Sequence, residues 1–293
     1  MGFMALMKAR KAATLQSKGD VQGAMALYEE ALNKGLTYMR MILAYTVLLI
    51  RNDQYQKAKD LLVSKQKLPM SAEQKATLFM NYAVCCFKLG DLDRAIDLME
   101  KQHRHQPMGM IYQTLGYFYV EKYDAANKAT LLPQLREKAE QEAAEAAERA
   151  ARIARAAEPA EGEEAPAAPV QAEEPAPVRS AEEIWQAQVE EALAFLKGAV
   201  EYDDSDPIVL DNLGEFYYRV LQDKEQARPW FDKALEEKEG QIDTLWFLSR
   251  YDLENGDKAK AIARLEKALE GRFSPLNYAT KDKVEKEIAR LKA

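Results

Sequence analysis

Alanine and large apolar residues recur along this chain at helical spacing, and the pattern itself repeats. Three turns carry Gly-Asp followed four residues later by alanine and then by a large apolar residue on the same helical face. They are Gly19-Asp20 before Ala24 and Tyr28, Gly90-Asp91 before Ala95 and Met99, and Gly256-Asp257 before Ala261 and Leu265. Similar elements are centred on Ala58, Ala192 and Ala227. Their spacing of 34 or 35 residues, stretched to 37 between Ala58 and Ala95, predicts repeated pairs of helices.

Close packing explains these residue types. Alanine lets the second helix of a pair approach the first, and the Gly-Asp turn reverses the chain between them. A second pattern, Leu-Gly with tyrosine three residues after the glycine, occurs at Leu115 to Tyr119 and at Leu213 to Tyr217. One pair cannot bury its apolar face alone, so the pattern predicts an all-α, right-handed solenoid of stacked units.

These residues resemble the tetratricopeptide repeat (TPR) family, whose unit is a 34-residue helix-turn-helix. The resemblance covers most of the chain, although individual units depart from it: Lys8 and Lys11 stand where bulky apolar residues are usual, and Asp252 replaces an aromatic. We divide the chain into units 1 to 4 over residues 5–125, an insertion over 126–183, a second part over 184–275 and a capping helix over 276–293. The second part completes unit 4 and contains units 5 and 6.

The insertion differs in composition from the repeat units that precede and follow it. Residues 131–157 are rich in Ala, Glu and Arg, which are strong helix formers, and we expect a helix there. Residues 158–179 are Ala, Glu and Pro, and they have too little apolar surface to order, so we expect disorder. Two interpretations stay open: a tolerated insertion in a solvent-facing loop, or a helix that docks on a partner or on the groove.

The resemblance implies a peptide-binding groove on the concave side, lined by set positions of the first helix of each unit. Carried over residue by residue, these positions predict the following candidate site residues: Leu43, Val47, Arg51, Met80, Val84, Phe87, Lys88, Tyr117, Arg219, Trp246 and Arg250. The groove is mostly apolar with cations along one edge in the first four units. It is polar and of mixed charge in units 5 and 6.

Methionine follows the same division, because all eleven methionines lie at or before Met110. Flexible thioethers adapt to varied apolar partners, which favours a groove that accepts an apolar peptide or an amphipathic helix. The alternative is that these methionines simply fill the core. The sequence is consistent with both interpretations.

Charge and candidate chemistry narrow the function. The net charge of −7 is carried by Glu158 to Glu183, which leaves the remainder neutral and gives no basic surface for nucleic acid. His103 and His105 are the only histidines, and no further ligand at metal-binding spacing accompanies them. No phosphate-binding glycine loop or nucleophile-base pattern is present. We therefore predict no enzyme activity, no cofactor, no metal and no small-molecule substrate.

The sequence thus predicts a cytoplasmic scaffold or adaptor whose partners are proteins or peptides. The adjacent Cys85 and Cys86 do not form a disulfide framework and are consistent with a reducing compartment. An alternative is a membrane-tethered assembly factor whose anchor precedes Met1, because the apolar start is followed by Lys8, Arg10 and Lys11. In that case the protein is membrane-associated.

Overall fold

A computed structural model describes residues 2–156 and 179–293. The segment predicted to be disordered, residues 158–179, lies outside this range except for Arg179. Every regular element of the described part is helical, and the principal helices are α1 (Gly2–Ser17), α2 (Val21–Asn33), α3 (Met39–Arg51), α4 (Tyr55–Lys65), α5 (Ala72–Lys88), α6 (Leu92–His105), α7 (Gly109–Tyr123), α8 (Lys128–Ala156), α9 (Ala181–Tyr202), α10 (Pro207–Glu215), α11 (Lys224–Glu237), α12 (Ile242–Glu254), α13 (Lys258–Leu269) and α14 (Lys281–Lys292).

Helices pack in six pairs, and the pairs stack as the repeat predicts. The pairs are α1 with α2, α3 with α4, α5 with α6, α7 with α9, α10 with α11, and α12 with α13. The repeated alanines lie at the crossings and are almost completely buried: Ala24, Ala58, Ala95, Ala192, Ala227 and Ala261. The predicted all-α solenoid is therefore confirmed, with α14 packed on its last pair.

The turns explain how the chain reverses within a pair. Gly19, Gly90 and Gly256 have φ values of 83°, 90° and 77°, a left-handed conformation that glycine adopts without strain. The aspartate after each glycine caps the next helix by accepting a backbone N–H. In units 2 and 5 the left-handed position is held by Asp53 and Gln222 instead, so the same turn forms there without glycine.

Unit 4 is split by the insertion. A 3₁₀ turn at Ala125–Asn127 follows α7 and leads into α8, and α9 then takes the place of the second helix of the unit. Leu131, Leu132 and Leu135 of α8 pack against the core, whereas the distal part is exposed, including Ile153 at 61%. Of the helices in the described part, none combines the length and apolar character needed to cross a membrane.

The carboxyl-terminal helix begins later than the sequence indicates. Ser274-Pro275 is typical of a helix start, but α14 begins at Lys281 with Thr280 as its N-cap. The reason is tertiary: the side chain of Asp243 accepts hydrogen bonds from Asn277 and from the backbone N–H of Ala279, which holds this segment non-helical. Residues 271–280 therefore form a long connection between α13 and α14, which we call the strap.

Candidate peptide-binding groove

One continuous surface is formed by the first helices of the units. Contacts run directly from α1 to α3, α3 to α5, α5 to α7, α7 to α10 and α10 to α12. Each second helix instead lies behind its own first helix. The sequence predicts the candidate site residues on this row of first helices.

The candidate residues of units 2 to 4 differ in accessibility. Leu43, Val84 and Tyr117 are 6%, 6% and 7% exposed, so they support the groove floor. The half-buried members, which a partner could touch, are Val47, Met80, Phe87 and Lys88. Arg51 is exposed at the end of α3 and forms no ion pair with any residue that the structure describes. The groove in these units is thus apolar with cations at its edge.

An aromatic cluster joins units 3 and 4. The ring centroid of Phe87 lies 5.8 Å from that of Tyr117, edge to face, and 5.4 Å from that of Phe118. Lys88 extends beside it with its ammonium nitrogen 5.2 Å from the Phe87 centroid. Burial lowers the pKa of Lys88, while Glu121 and Asp53 act in the opposite direction. The cluster gives the groove a rigid apolar wall next to a cation.

A cavity of about 600 Å³ opens where the two halves of the groove meet. Met80 and Tyr117 lie on its amino-terminal side, and Asp211 and Asp243 lie on its carboxyl-terminal side. Leu276 of the strap also lines it. The structure therefore brings Met80 and Tyr117 together with acidic residues that the list of candidates did not include.

Arg219 lies in a buried ion-pair network rather than on an open surface. Its side chain is 7% exposed, and its guanidinium nitrogens lie 2.7 Å from Glu121, 2.8 Å from Asp124 and 2.7 Å from Glu215. Burial by itself would lower its pKa, but Glu215 and Glu121 outweigh this effect and raise it. Arg219 sits in a π-helical turn, Phe216–Val220, a distortion that is frequent at functional sites.

Three buried carboxyl groups lie together next to this network, and one of them, Glu215, is paired with Arg219. One oxygen each from Asp211, Glu215 and Asp243 lie within 4.8 Å of one another. Burial raises the pKa of Asp211 and Glu215 well above the ordinary range, and raises that of Asp243 to about 6. Each group also has a protein partner: Thr244 donates to Asp211, Arg219 to Glu215, and Asn277 to Asp243. Hydrogen bonding holds all three acids in the interior, and at Glu215 the positive charge of Arg219 opposes the effect of burial on the pKa.

Trp246 and Arg250 form the far end of the groove. The Arg250 guanidinium lies 4.3 Å from the Trp246 ring centroid and is 2.6 Å from Glu287 of α14. Trp246 is 8% exposed, since Lys283 of α14 also covers its ring. In units 5 and 6 the predicted groove residues are therefore largely covered by the chain itself.

Sequence reasoning missed the strap and the acidic members of this half. Asp211, Glu215 and Asp243 occupy polar, mixed-charge groove positions of units 5 and 6 in the sequence, and nothing in their spacing indicates that they are buried together. The signal that was available is the ten-residue length of residues 271–280, compared with the short Gly-Asp turns elsewhere. It was obscured by Pro275, which favours a helix start.

Comparisons with known proteins address the fold. No protein-family model and no curated protein matches this sequence. Among solved structures, TTC0263, a thermophilic TPR protein of Thermus thermophilus, is 16% identical, with 98% of each chain covered and a TM-score of 0.46. An IFIT1 monomeric mutant solved with Gppp-AAAA is 15% identical with a TM-score of 0.53, and the match covers 98% of this chain and 53% of that one. At such identities the likeness concerns the fold alone.

Proposed function

We propose that this chain, which has the tetratricopeptide-repeat fold, is a protein-interaction scaffold that binds a peptide or an amphipathic helix in the groove of units 2 to 4. The observation that carries the proposal is the row of half-buried apolar side chains at Val47, Met80 and Phe87. A partner can bury them further without unfolding the units that hold them. The burial of such side chains is the main source of affinity in grooves that accept helices.

The charges at the groove edge specify the partner further. Arg40 and Arg51 are exposed on α3, and Lys88 is half-buried at the end of α5. Cations beside an apolar row fit a segment with apolar anchors and neighbouring Asp or Glu residues. Charge complementarity of this kind contributes mainly to the association rate and to specificity.

A matched pair of substitutions tests the groove. Val47→Asp places a charge on the first helix α3, whereas Val63→Asp places the same charge on the second helix α4, where Val63 is 46% exposed. We expect Val47→Asp to recover at least tenfold less partner than the wild type when bound proteins are cross-linked and identified by mass spectrometry. A tenfold loss corresponds to about 1.4 kcal/mol of binding free energy. Val63→Asp should recover the wild-type partner set.

Melting temperatures of both variants separate lost binding from lost folding. If Val47→Asp remains folded and still recovers the same partners as the wild type and Val63→Asp, the groove is not the binding surface. If both folded variants lose the same partners, the loss is not specific to the groove of units 2 to 4, and the proposal fails.

A second candidate is a membrane-associated scaffold, and one surface favours it. The start of α1 exposes Phe3, Met4 and Met7 by 77%, 62% and 48%, and the exposed Arg10 and Lys11 follow in the same helix. Apolar side chains beside cations suit the interface of an anionic bilayer, to which each Lys or Arg near the surface contributes about 1 kcal/mol.

Vesicle sedimentation tests this candidate. We expect the protein to sediment with vesicles of phosphatidylcholine and phosphatidylserine and to remain in solution with phosphatidylcholine alone. Replacing both Phe3 and Met7 with Glu should abolish sedimentation, and reversing the charges of Arg10 and Lys11 should reduce it. Equal sedimentation of the wild type and the Phe3/Met7 variant would refute a membrane role for this surface.

A further inference from the structure

The strap, residues 271–280, lies against the same helices that line the groove in units 5 and 6. It leaves α13 at Gly271, where an added Cβ would come within 2.9 Å of the Ile242 side chain, so the chain passes close over the start of α12. Leu276 then reaches the cavity that Met80 and Tyr117 line, and it packs against the hydrophobic cluster of the amino-terminal half. The strap therefore spans the groove from unit 6 to unit 3.

Asp243 holds the strap through two hydrogen bonds. The Asn277 side-chain amide donates to one carboxylate oxygen at 2.7 Å, and the backbone N–H of Ala279 donates to the other at 2.8 Å. One carboxylate thus binds a side chain and the main chain of the same extended segment. Protein grooves hold bound peptides in this way.

Tyr278 provides the aromatic contact between these hydrogen bonds. Its ring stacks on Phe247 with centroids 5.2 Å apart and an angle of 22°. The Arg219 guanidinium lies 4.0 Å from the ring centroid, and the Lys283 ammonium lies 3.3 Å from it. The ring is therefore held by one aromatic face and two cations.

Most of the strap rests on the groove, and only Ala279 near its end is completely buried in the core. Leu276, Asn277 and Tyr278 are only half-buried, unlike the core residues beneath them. The cavity of about 600 Å³ below Leu276 also remains open. A segment that fills only part of its site leaves room for a ligand that fills more of it.

We propose that the inner face of α10 and α12 is a second peptide-binding site, which the strap occupies as an internal ligand. The ligand in trans is an extended segment with an aliphatic residue, a side-chain amide and an aromatic residue in consecutive positions, as in Leu276-Asn277-Tyr278. Asp243 binds its amide and main chain, Arg219 and Phe247 bind its ring, and the cavity accepts its aliphatic side chain. This site adjoins the groove of units 2 to 4 at the cavity that Met80 and Tyr117 line. The contacts that carry it are those of Asp243, Arg219 and Phe247, so the proposal does not depend on a partner that binds at Val47 or Phe87.

Displacing the strap tests the proposal. A variant with Leu276→Gly, Asn277→Ser and Tyr278→Gly keeps the length of the connection, so α14 can still cap the solenoid. The probe is a fluorescein-labelled peptide with the sequence of residues 273–281, FSPLNYATK, followed by fluorescence anisotropy. We expect the variant to bind this peptide at least tenfold more tightly than the wild type, because the wild-type site is available only in the fraction of molecules whose strap is open.

A control peptide with Asn277→Ala and Tyr278→Ala should bind the variant at least tenfold more weakly than the probe. Equal binding of the two peptides, or no binding of the probe by a folded variant, overturns the proposal. Equal affinity of the probe for the variant and the wild type also overturns it, since the strap would then not occupy the site.

Hydrogen exchange on the unaltered protein decides the matter even if the variant fails to fold. A strap that opens locally should expose the Ala279 N–H at least tenfold more often than the Phe247 N–H in α12, because local opening needs less free energy than unfolding of the core. Excess probe peptide competes with the strap for the site, so it should not slow the exchange of the Ala279 N–H. If Ala279 and Phe247 exchange at the same rate, the strap belongs to the core and the proposal fails.

Discussion

Replacing Arg219 with methionine should lower the free energy of unfolding by about 3 to 5 kcal/mol at pH 7, the range observed when one partner of a buried ion pair is removed. Methionine keeps most of the side-chain volume but leaves Glu215 without its positive partner, and Glu215 is 1% exposed. Glu121 and Asp124 are about one-fifth exposed and can be solvated in part. The cost therefore arises mainly from Glu215. Urea unfolding followed by tryptophan fluorescence measures it.

Arg250→Met is the matched control for this prediction. Arg250 also pairs with a carboxylate in the same half of the groove, but its side chain is 21% exposed and Glu287 keeps a second partner in Arg290. We expect a clearly smaller loss than for Arg219→Met, because this pair is only partly buried and Glu287 stays paired with Arg290. Similar losses for both variants would contradict the assignment of the Arg219 network as a buried one.

The double variant Arg219→Met with Glu215→Met tests why Arg219→Met is unstable. The cause is either the unpaired charge left on Glu215 or the lost contacts of the guanidinium. If an uncompensated carboxylate causes the loss, removing it should restore most of the stability, since hydrophobic replacements of buried pairs are often close to neutral. A double variant as unstable as Arg219→Met alone would show that packing of the guanidinium against Tyr278, rather than charge, is what matters.

The solenoid could be predicted from the sequence because its determinants are local. Ala24 and Ala261 lie four residues after the aspartate of a Gly-Asp turn, and such spacings fix helix ends and packing faces within one unit. The positions of the first helices followed from the same register. Their burial did not, because it depends on what covers them.

The Arg219 network shows why the site was harder to predict. Arg219 was placed on the inner face by its position in the unit, yet two of its partners, Glu121 and Asp124, lie at the end of α7 across the insertion, nearly a hundred residues earlier in the chain. The strap has the same character, since Asp243 meets Asn277 only after the chain has passed through α12 and α13. Long-range pairs of this kind leave no periodic pattern in the sequence.

Raising the pH from 4.5 to 7 should destabilise the protein through Asp243, in contrast to the usual behaviour of paired carboxylates. Burial is the largest cause that raises its pKa, to about 6, from the ordinary value of 3.8, although Asn277 and Ala279 donate to its charged form. Between pH 3.8 and about 6, the unfolded chain has released this proton while the folded chain retains it. The free energy of unfolding therefore falls by about 1.4 kcal/mol per pH unit, or about 3 kcal/mol over the window and about 2 kcal/mol of it above pH 4.5.

Comparison with Asp243→Asn isolates this contribution, because other groups titrate nearby. Burial lowers the pKa of His103, which makes stability fall as the pH drops below about 6.5. The lowered pKa of Glu287, about 2, acts only below pH 4.5. His103 and Glu287 are present in both the wild type and Asp243→Asn. The difference between the unfolding free energies of these two proteins at each pH therefore reports on Asp243 and the acids coupled to it. That difference should change by about 2 kcal/mol between pH 4.5 and 7, with the wild type losing stability relative to the variant.

Asn277→Ala tests the direction in which the pKa of Asp243 shifts. It removes a donor that favours the charged carboxylate, so the pKa of Asp243 should rise further and the loss of stability should extend to higher pH. A pH-independent difference between the wild type and Asp243→Asn would mean that Asp243 titrates alike in the folded and unfolded states. If the difference is pH-dependent and Asn277→Ala leaves the window unchanged, Asp243 is buried without being coupled to the strap. A shift of the window would show that the carboxylate that retains its proton in the interior is also the one that holds the strap on the groove.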